Sequence, residues 1–406
     1  MRYSAVIFVS VALAVAAALG LGVVEPGTAN AASTPYIHFD RYTSYKALSS
    51  GNKSGIVVRK LSDGSGVVRL ARQQRDGYGG SLTSPVYKTQ VRADTFNPSW
   101  NASTPSGTWM RLQLQTHSGG SWTGWMNMGI WSSRTDTVKR HSVDGQKSGS
   151  WRVYTDTLQS VGPVFADAYR YRLTLYTKKR DVTPTVRGLF VTSSDSYRNG
   201  EWPGVPADKN VWGKSLPVPA RSQMIYKDGG EVWCSPTSLS MVMAYWANQT
   251  GRKGLNQSVP TVARGTYDYT YRGNGNWPFN AGYASSLGLR ASVNRFGSLP
   301  QIERWIHAGI PVIASIAWNN NASGTRLTGA PIPVSSGHIL VIRGFTRSGD
   351  VIVNDPAASS NSGVTRTYDR AEFARAWLKT GSGGIVYLVY PNGHDTPGNY
   401  AAHGSW

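Results

Sequence analysis

The chain has 406 residues, 40% of them hydrophobic, with a formal net charge of +20 and one cysteine. This length suits two or three domains with cores of their own, and a single cysteine excludes any intramolecular disulfide. The basic residues are dispersed and do not form a stripe, so nucleic acid is not an expected partner. The charge suits a basic soluble surface or contact with an anionic cell envelope.

Residues 1–31 have the three parts of a secretory signal peptide. Arg2 supplies the positive charge, residues 5–24 are apolar, and Ala29 and Ala31 flank Asn30 as an A-x-A cleavage site. About twenty apolar residues could also span a bilayer as an uncleaved anchor. The small residues at the cleavage site favour export, and no later apolar run is long enough to cross a membrane. We therefore expect a secreted protein, with cell-wall association as an extension of that expectation.

Residues 32–198 have the pattern of an all-β domain. Apolar and polar residues alternate along 110–115 and again along 169–176, and turn clusters recur at short intervals, which predicts a sandwich or jelly roll. The region is rich in tryptophan, and these rings could form a carbohydrate-binding face. Because most of them fall within strand patterns, we expect them to fill the core instead. The six are Trp100, Trp109, Trp122, Trp125, Trp131 and Trp151.

A Pro/Gly-rich stretch at 199–215 predicts a linker, and alternating helix and strand patterns over 216–391 predict an α+β domain. Within it, helices are expected at 279–287, 299–308 and 370–378, the last with Glu372 in capping-box spacing. A buried strand is expected at 311–316, followed by a polar loop at 319–329 that borders a cleft. Residues 392–406 are expected to be a loosely ordered tail.

The lone cysteine, Cys234, precedes a helical pattern. Pro236 suits the first helical position and Ser235 the N-cap, and apolar residues then recur at helical spacing. A thiol at this end of a helix lies near the positive pole of the dipole, which favours the nucleophilic thiolate. The alternative is that a lone cysteine is a small core residue.

Two further residues are placed where they could serve such a thiol. His338 opens an apolar strand, a turn follows, and a second strand ends at Asp355, so a β-hairpin would bring the two side chains near the same register. A carboxylate on one imidazole nitrogen leaves the other for the thiol. Taken singly, a histidine at a strand start and an aspartate before a proline are common structural residues.

Gln223 lies eleven residues before Cys234. In a thiol acyl-transfer site, a side-chain amide and the backbone N–H of the cysteine can stabilise the tetrahedral oxyanion. On sequence alone, a glutamine at this position is as well explained as a surface residue.

The order Gln223, Cys234, His338 and Asp355 resembles the C39-like cysteine peptidases, relatives of the bacteriocin leader-processing peptidases with a papain-like fold. The likeness runs from about 216 to 390 and includes Trp-Cys-Ser-Pro-Thr-Ser at 233–238, Gly-His at 337–338 and Asn-Asp-Pro at 354–356. The resemblance implies that Cys234 is the nucleophile and His338 the general base and acid. It likewise implies that Asp355 orients the imidazole and that Gln223 donates to the oxyanion.

The upstream region is similar to the β-domain that accompanies this peptidase in secreted bacterial proteins, through segments 99–105, 107–109 and 170–176. That likeness implies architecture and no activity. Leader-processing relatives are fused to an export ATPase, whereas this chain has neither transporter helices nor a Walker A motif, so cleavage after a double-glycine leader is not implied.

The expected function is therefore a secreted cysteine peptidase that hydrolyses peptide bonds through a Cys-His-Asp triad and a thioacyl-enzyme. Peptides or proteins are the expected substrates, no metal or other cofactor is expected, and an anionic cell-wall polymer is a further candidate partner. A cell-wall peptide hydrolase or an acyltransferase with the same triad are alternatives. A non-catalytic wall-binding protein is the alternative from a different class.

Overall fold

A computed structural model describes residues 35–71, 78–199, 202 and 205–398. The predicted signal peptide and residues 399–406 of the predicted tail lie outside these ranges. Within them, no helix has both the length and the apolar character needed to cross a membrane.

The N-terminal half is built almost entirely of β-strands, with one short helix. Its elements are β1 (Ile37–Tyr42), α1 (Tyr45–Ser49), β2 (Asn52–Ser54), β3 (Ile56–Lys60), β4 (Gly66–Leu70), β5 (Gly79–Thr83), β6 (Tyr87–Ala93), β7 (Thr95–Ser103), β8 (Thr108–Ser118), β9 (Ser121–Trp122), β10 (Met126–Trp131), β11 (Lys147–Ser148), β12 (Trp151–Tyr154), β13 (Thr157–Ser160), β14 (Ala166–Thr177) and β15 (Thr185–Ser194).

These strands form two antiparallel sheets. The first has the order β11-β12-β13-β7-β15-β4-β3, with β1 beside β15, and the second has the order β10-β8-β14-β5-β2, with β6 beside β14 and β9 beside β8. The alternating segments lie in the second sheet, where Leu112 pairs with Leu173 and both side chains are buried. The predicted N-terminal β domain is confirmed.

The C-terminal half combines helices with a third sheet. Its elements are β16 (Lys214–Ser215), α2 (Cys234–Thr250), α3 (Val259–Thr266), α4 (Trp277–Ser286), β17 (Leu289–Arg295), α5 (Leu299–His307), β18 (Val312–Asn319), β19 (Val334–Phe345), β20 (Val351–Asn354), β21 (Thr365–Tyr368), α6 (Arg370–Leu378) and β22 (Ile385–Pro391). Single 3₁₀ turns occur at Lys209–Val211, Gly230–Val232, Lys253–Leu255 and Asn361–Gly363.

The third sheet has the order β17-β22-β18-β19-β20-β21, with β16 beside β19, and α2 packs against β19 and β22. β16 lies inside the range predicted as a linker. Lys214 and Ser215 pair with Phe345 and Gly344, so this part of the range belongs to the third sheet. The predicted helix after Ser298 is confirmed as α5, at whose start the side-chain oxygen of Gln301 accepts from the backbone N–H groups of Gly297 and Ser298, at 2.6 and 3.1 Å.

The predicted capping box of α6 does not form. The carboxylate of Asp369 accepts from the backbone N–H groups of Ala371 and Glu372, as a cap should. The Glu372 carboxylate instead accepts from the backbone N–H and the hydroxyl of Thr328, at 2.6 and 3.1 Å. Glu372 therefore anchors the loop between β18 and β19, whose N–H groups need an acceptor.

The two halves share one apolar core. Trp100 and Trp131, from opposite sheets of the β domain, both contact Phe279 of α4, with ring centroids 6.1 and 5.3 Å from it. The side-chain amide of Asn101 also donates to the carbonyl of Ala291 in β17 at 2.6 Å. The core that these two tryptophans fill therefore includes a helix of the other half. Trp151 is buried as well, but the expectation of a core position is wrong for the other three: Trp122 is exposed, and Trp109 and Trp125 are half-buried.

Candidate active site

The lone cysteine occupies the first helical position of α2. Trp233 is the N-cap and offers no side-chain cap, so the prediction that Ser235 caps the helix and Pro236 opens it is wrong by two residues. The 3₁₀ turn at Gly230–Val232 leads into the helix, and the Ser235 hydroxyl meets the hydroxyl of Tyr387 at 3.1 Å instead. Cys234 thus keeps a backbone N–H that has no acceptor within the helix, at the positive end of the dipole.

His338 and Asp355 are brought together by the β19–β20 hairpin. Val341 pairs with Asn354, so Asp355 follows β20 at the level of the start of the apolar run in β19. His338 Nε2 lies 2.7 Å from Asp355 Oδ1, and both side chains are buried. β19 begins at Val334, so His338 lies within the strand rather than at its start, because the preceding residues continue the pairing with β18.

The Asp355 carboxylate is held by further donors. Its Oδ1 accepts from the backbone N–H of Ala357 at 3.0 Å, and its Oδ2 accepts from the hydroxyl of Tyr368 at 2.7 Å. Burial would raise the pKa of Asp355, but the charge and hydrogen bond of His338 and the bond from Tyr368 outweigh it and lower the pKa. The carboxylate is therefore fixed in place as an anion.

One nitrogen of His338, Nε2, is bonded to Asp355, which leaves Nδ1 free of that bond. Cys234 lies close enough to act on the pKa of the imidazole. Burial would lower the pKa of His338, but the charge and hydrogen bond of Asp355, with the contact to Cys234, raise it to about 10. The imidazole is therefore protonated at neutral pH, beside the sulfur.

Trp318 covers this histidine. Its ring meets the imidazole edge-on, with centroids 5.3 Å apart and planes at 82°, and its indole N–H donates to the carbonyl of Ile332 at 3.0 Å. The indole thereby keeps water away from the hydrogen bond between His338 and Asp355. Neither Trp318 nor Tyr368 is marked by its local sequence pattern as a neighbour of this pair.

Gln223 is buried, and its side-chain amide donates to the carbonyl of Gly230 at 2.7 Å. An amide nitrogen carries two hydrogens, so one N–H remains for a ligand. The amide Oε1 has no hydrogen-bond partner. A Cβ at position 230 would lie 2.2 Å from the backbone oxygen of Gln223, so only glycine fits there. The Gly229–Gly230 pair in the sequence indicates that another backbone segment approaches closely here.

The segment that carries Gln223 is tied to the segment that carries Asp355. The side-chain amide of Asn354 donates to the carbonyls of Val218 and Pro219, at 3.0 and 3.3 Å. The backbone N–H of Ser222 donates to the side chain of Asn361 at 2.7 Å. These bonds on both sides of Asp355 position the glutamine relative to the Cys-His-Asp group.

This arrangement provides a nucleophile with its own backbone N–H, a proton donor and acceptor, a carboxylate that orients it, and a glutamine amide bonded to the turn that leads into α2. Such a set performs acyl transfer through a covalent thioester. Among the described residues, no group of three or more His, Cys, Asp and Glu side chains could hold a metal ion.

The sequence model of the Peptidase_C39 like family matches residues 215–385, and that of the Peptidase C39 N-terminal domain matches residues 38–194. Fold and site thus define a peptidase-type domain. It follows a β domain of the type that precedes such peptidase domains. By these two matches, which together span most of its length, the chain belongs to the C39-like peptidases.

Solved structures give weaker similarities. A candidate C39-like peptidase from Bacillus anthracis is 17% identical with a TM-score of 0.32, over 45% of this chain and 98% of that one. The C-terminal CBM6 of LamC, a marine laminarinase from Zobellia galactanivorans, is 14% identical with a TM-score of 0.20, over 38% of this chain and 98% of that one. No curated protein matches the chain.

Proposed function

We propose that the protein is a cysteine peptidase that hydrolyses peptide bonds through Cys234, His338 and Asp355. The observation that carries the proposal is the position of the buried His338 imidazole, which is hydrogen-bonded to the Asp355 carboxylate at 2.7 Å and lies close enough to Cys234 for the thiol to help raise its pKa. The nucleophile begins a helix that packs on the antiparallel sheet bearing the histidine, which supports a papain-like arrangement for this half.

In the first step the Cys234 thiolate attacks the carbonyl carbon of the scissile bond, and the carbonyl oxygen becomes an oxyanion. The backbone N–H of Cys234 and the second N–H of the Gln223 amide stabilise that oxyanion. The His338 imidazolium gives its proton to the leaving nitrogen, the carbon–nitrogen bond breaks, and a thioester remains on Cys234.

In the second step the neutral imidazole of His338 takes a proton from water, and the oxygen of that water attacks the thioester. The carbon–sulfur bond breaks, the acid product leaves, and the thiolate–imidazolium pair is restored. Throughout, Asp355 holds Nε2–H and thereby keeps Nδ1 directed at the sulfur.

Exposed apolar side chains next to the site favour peptide substrates that have apolar residues near the scissile bond. Met224 and Ile225 directly follow Gln223, Val232 lies two residues before Cys234, and the exposed fractions of the three are 44%, 49% and 45%. Exposed aliphatic side chains of this size that adjoin a site suit an apolar ligand.

The test is turnover of a peptide library and of casein by the full-length chain and by Cys234→Ala. We expect cleavage by the parent, enrichment of apolar residues near the cut, and loss of turnover in the variant with an unchanged unfolding temperature. Iodoacetamide at neutral pH should alkylate the folded thiol faster than the denatured one. A variant that cleaves like the parent would refute the assignment.

The net charge of +20 favours one second candidate, a hydrolase acting on cell-wall peptides. We also propose that residues 1–31 direct export, in accord with their apolar run and A-x-A site. Purified cell wall offered beside casein separates the two substrates. N-terminal sequencing of the exported protein should begin at Ala32.

A further inference from the structure

The second sheet has a polar face that points away from the first sheet. On β8 and β14 the apolar residues point inward, and the residues between them form cross-strand pairs on the outer face. We call this surface the arginine face. Its pairs are Gln115 with Arg170, Gln113 with Arg172, Arg111 with Thr174, and Trp109 with Tyr176.

Aromatic rings hold the arginines of this face. The guanidinium carbon of Arg172 lies 4.0 Å from the ring centroid of Trp125, and that of Arg170 lies 4.8 Å from the ring centroid of Trp122. A guanidinium stacked on a ring keeps its N–H donors in its own plane, free to bind an anion. The rings of Trp109 and Tyr176 stack on each other at 5.1 Å.

The positive charge of the face has no anionic partner among the described residues. Arg170 donates to the amide oxygen of Gln115 and Arg172 to the hydroxyl of Thr83, both neutral acceptors. Burial first, and then the charges of Arg170 and Arg111, lower the pKa of Arg172. The carboxylate of Asp167, beside the end of the face, is paired with His117 at 2.5 Å.

Three polar atoms at the centre of the face also lack a hydrogen-bond partner. They are Gln113 Oε1, Thr174 Oγ1 and Arg111 Nε. Gln113 and Thr174 are only 9% and 8% exposed, so water reaches them poorly. A buried polar atom without a partner costs about 1–3 kcal/mol, and a ligand that bonds to it recovers that cost.

We propose that the arginine face binds an anionic polysaccharide, with carboxylate or phosphate groups on the three arginines and hydroxyl groups on Gln113 and Thr174. Carboxylates and phosphates match the fork of a guanidinium, and sugar hydroxyls match the unpartnered amide and hydroxyl. Single-stranded nucleic acid would need open ring faces for its bases, and here guanidinium groups lie over the rings of Trp122 and Trp125. The site is separate from Cys234 and does not depend on the proposed peptidase activity.

The test is affinity electrophoresis of the full-length chain through gels that contain polygalacturonate, which carries carboxylates, phosphomannan, which carries phosphates, or neutral dextran. We expect retardation by one or both acidic polymers and none by dextran. The double variant Arg170→Gln/Arg172→Gln should weaken binding at least about tenfold, because two charge-assisted contacts are lost. The matched control Arg59→Gln/Lys60→Gln removes the same charge from exposed positions on β3 and should change binding less than about twofold.

A second variant separates a binding role from a structural one. Thr174→Val keeps the side-chain shape and removes a hydroxyl that has no partner, so it should weaken retardation without lowering the unfolding midpoint. Equal loss of binding in both charge variants would overturn the proposal, as would failure to bind either acidic polymer. Preference for single-stranded DNA over both polymers would also overturn it.

Discussion

The backbone N–H of Gln223 donates a hydrogen bond to the carbonyl oxygen of Pro356 at a distance of 2.8 Å. Pro356 directly follows Asp355, so the glutamine proposed for the oxyanion and the carboxylate that orients His338 belong to two segments joined through their backbones. Any shift of one segment moves the other. The proposed triad and its oxyanion site therefore respond to perturbation as one unit.

Removal of the Gln223 amide tests its proposed role. Gln223→Ala leaves one N–H, that of Cys234, for the oxyanion, so kcat should fall by about 10²–10³. KM should change little, because the contact strengthens only as the oxyanion forms. Steady-state kinetics on a cleaved library peptide measures both. Gln90→Ala, at an exposed glutamine on β6, is the control and should match the parent. A rise in KM with an unchanged kcat would contradict the proposed role of Gln223 at the oxyanion.

The pH profile should report the pair of His338 and Asp355. The pKa of His338 is raised to about 10, so kcat/KM should stay high into alkaline pH and fall as the imidazolium loses its proton. Asp355→Asn removes the negative charge that helps to raise this pKa, and the alkaline limb should move to lower pH. Rates measured across that range for both proteins decide the point. An unmoved alkaline limb would show that Asp355 does not act through His338.

The same shift has a consequence for stability. The pKa of His338 is raised above its unfolded value, so its contribution to the free energy of unfolding is complete below about pH 6.5. That contribution is lost as pH rises through about 10. We expect His338→Ala to flatten this alkaline loss in urea unfolding curves. An identical alkaline loss in parent and variant would contradict the expectation.

Tyr368→Phe should destabilise the protein. The change leaves Asp355 Oδ2 buried without the donor now at 2.7 Å, which costs about 1–3 kcal/mol. Urea unfolding measures the loss. Tyr154→Phe, at an exposed tyrosine on β12, removes the same hydroxyl where water can replace it and should leave the midpoint unchanged. Similar losses of unfolding free energy in the two variants would show that the bond to Asp355 contributes no more to stability than an exposed hydroxyl does.

Asp156 should make stability depend on pH. Burial, together with the charge of Asp268, raises the pKa of Asp156 to about 7. The hydrogen bonds that it accepts from Trp277 and Thr157 lower the pKa but do not outweigh burial. Its contribution is therefore full below the unfolded pKa of about 3.9 and is lost as pH rises through about 7. Asp156→Asn retains an acceptor for the Trp277 N–H and should remove this slope from the unfolding free energy. A slope that survives in the variant would contradict the assignment.

Features set by neighbours in the sequence could be predicted. The β19–β20 hairpin follows from two apolar runs around a turn, so His338 and Asp355 could be placed together. The start of α2 was misplaced because a 3₁₀ turn extends into it, and 3₁₀ turns leave little trace in hydrophobic spacing.

Features set by long-range packing could not be predicted. Tyr368 reaches Asp355 from β21, and Trp318 reaches His338 from β18 through a register shift between Ile316 and Trp318. Neither contact leaves a mark in the spacing of residues along the chain. The hydrogen-bond partner of the Glu372 carboxylate could not be predicted either. A backbone N–H at its own helix cap and one in a distant loop are equally suitable donors.

The packing of Phe279 against both Trp100 and Trp131 has a consequence for how the molecule melts. The two sequence families meet near residue 200, yet the rings on either side of that boundary share one interior. We expect a single calorimetric transition for the whole chain, where independent modules would give two. A truncated peptidase half would leave Phe279 uncovered, and we expect such fragments to self-associate.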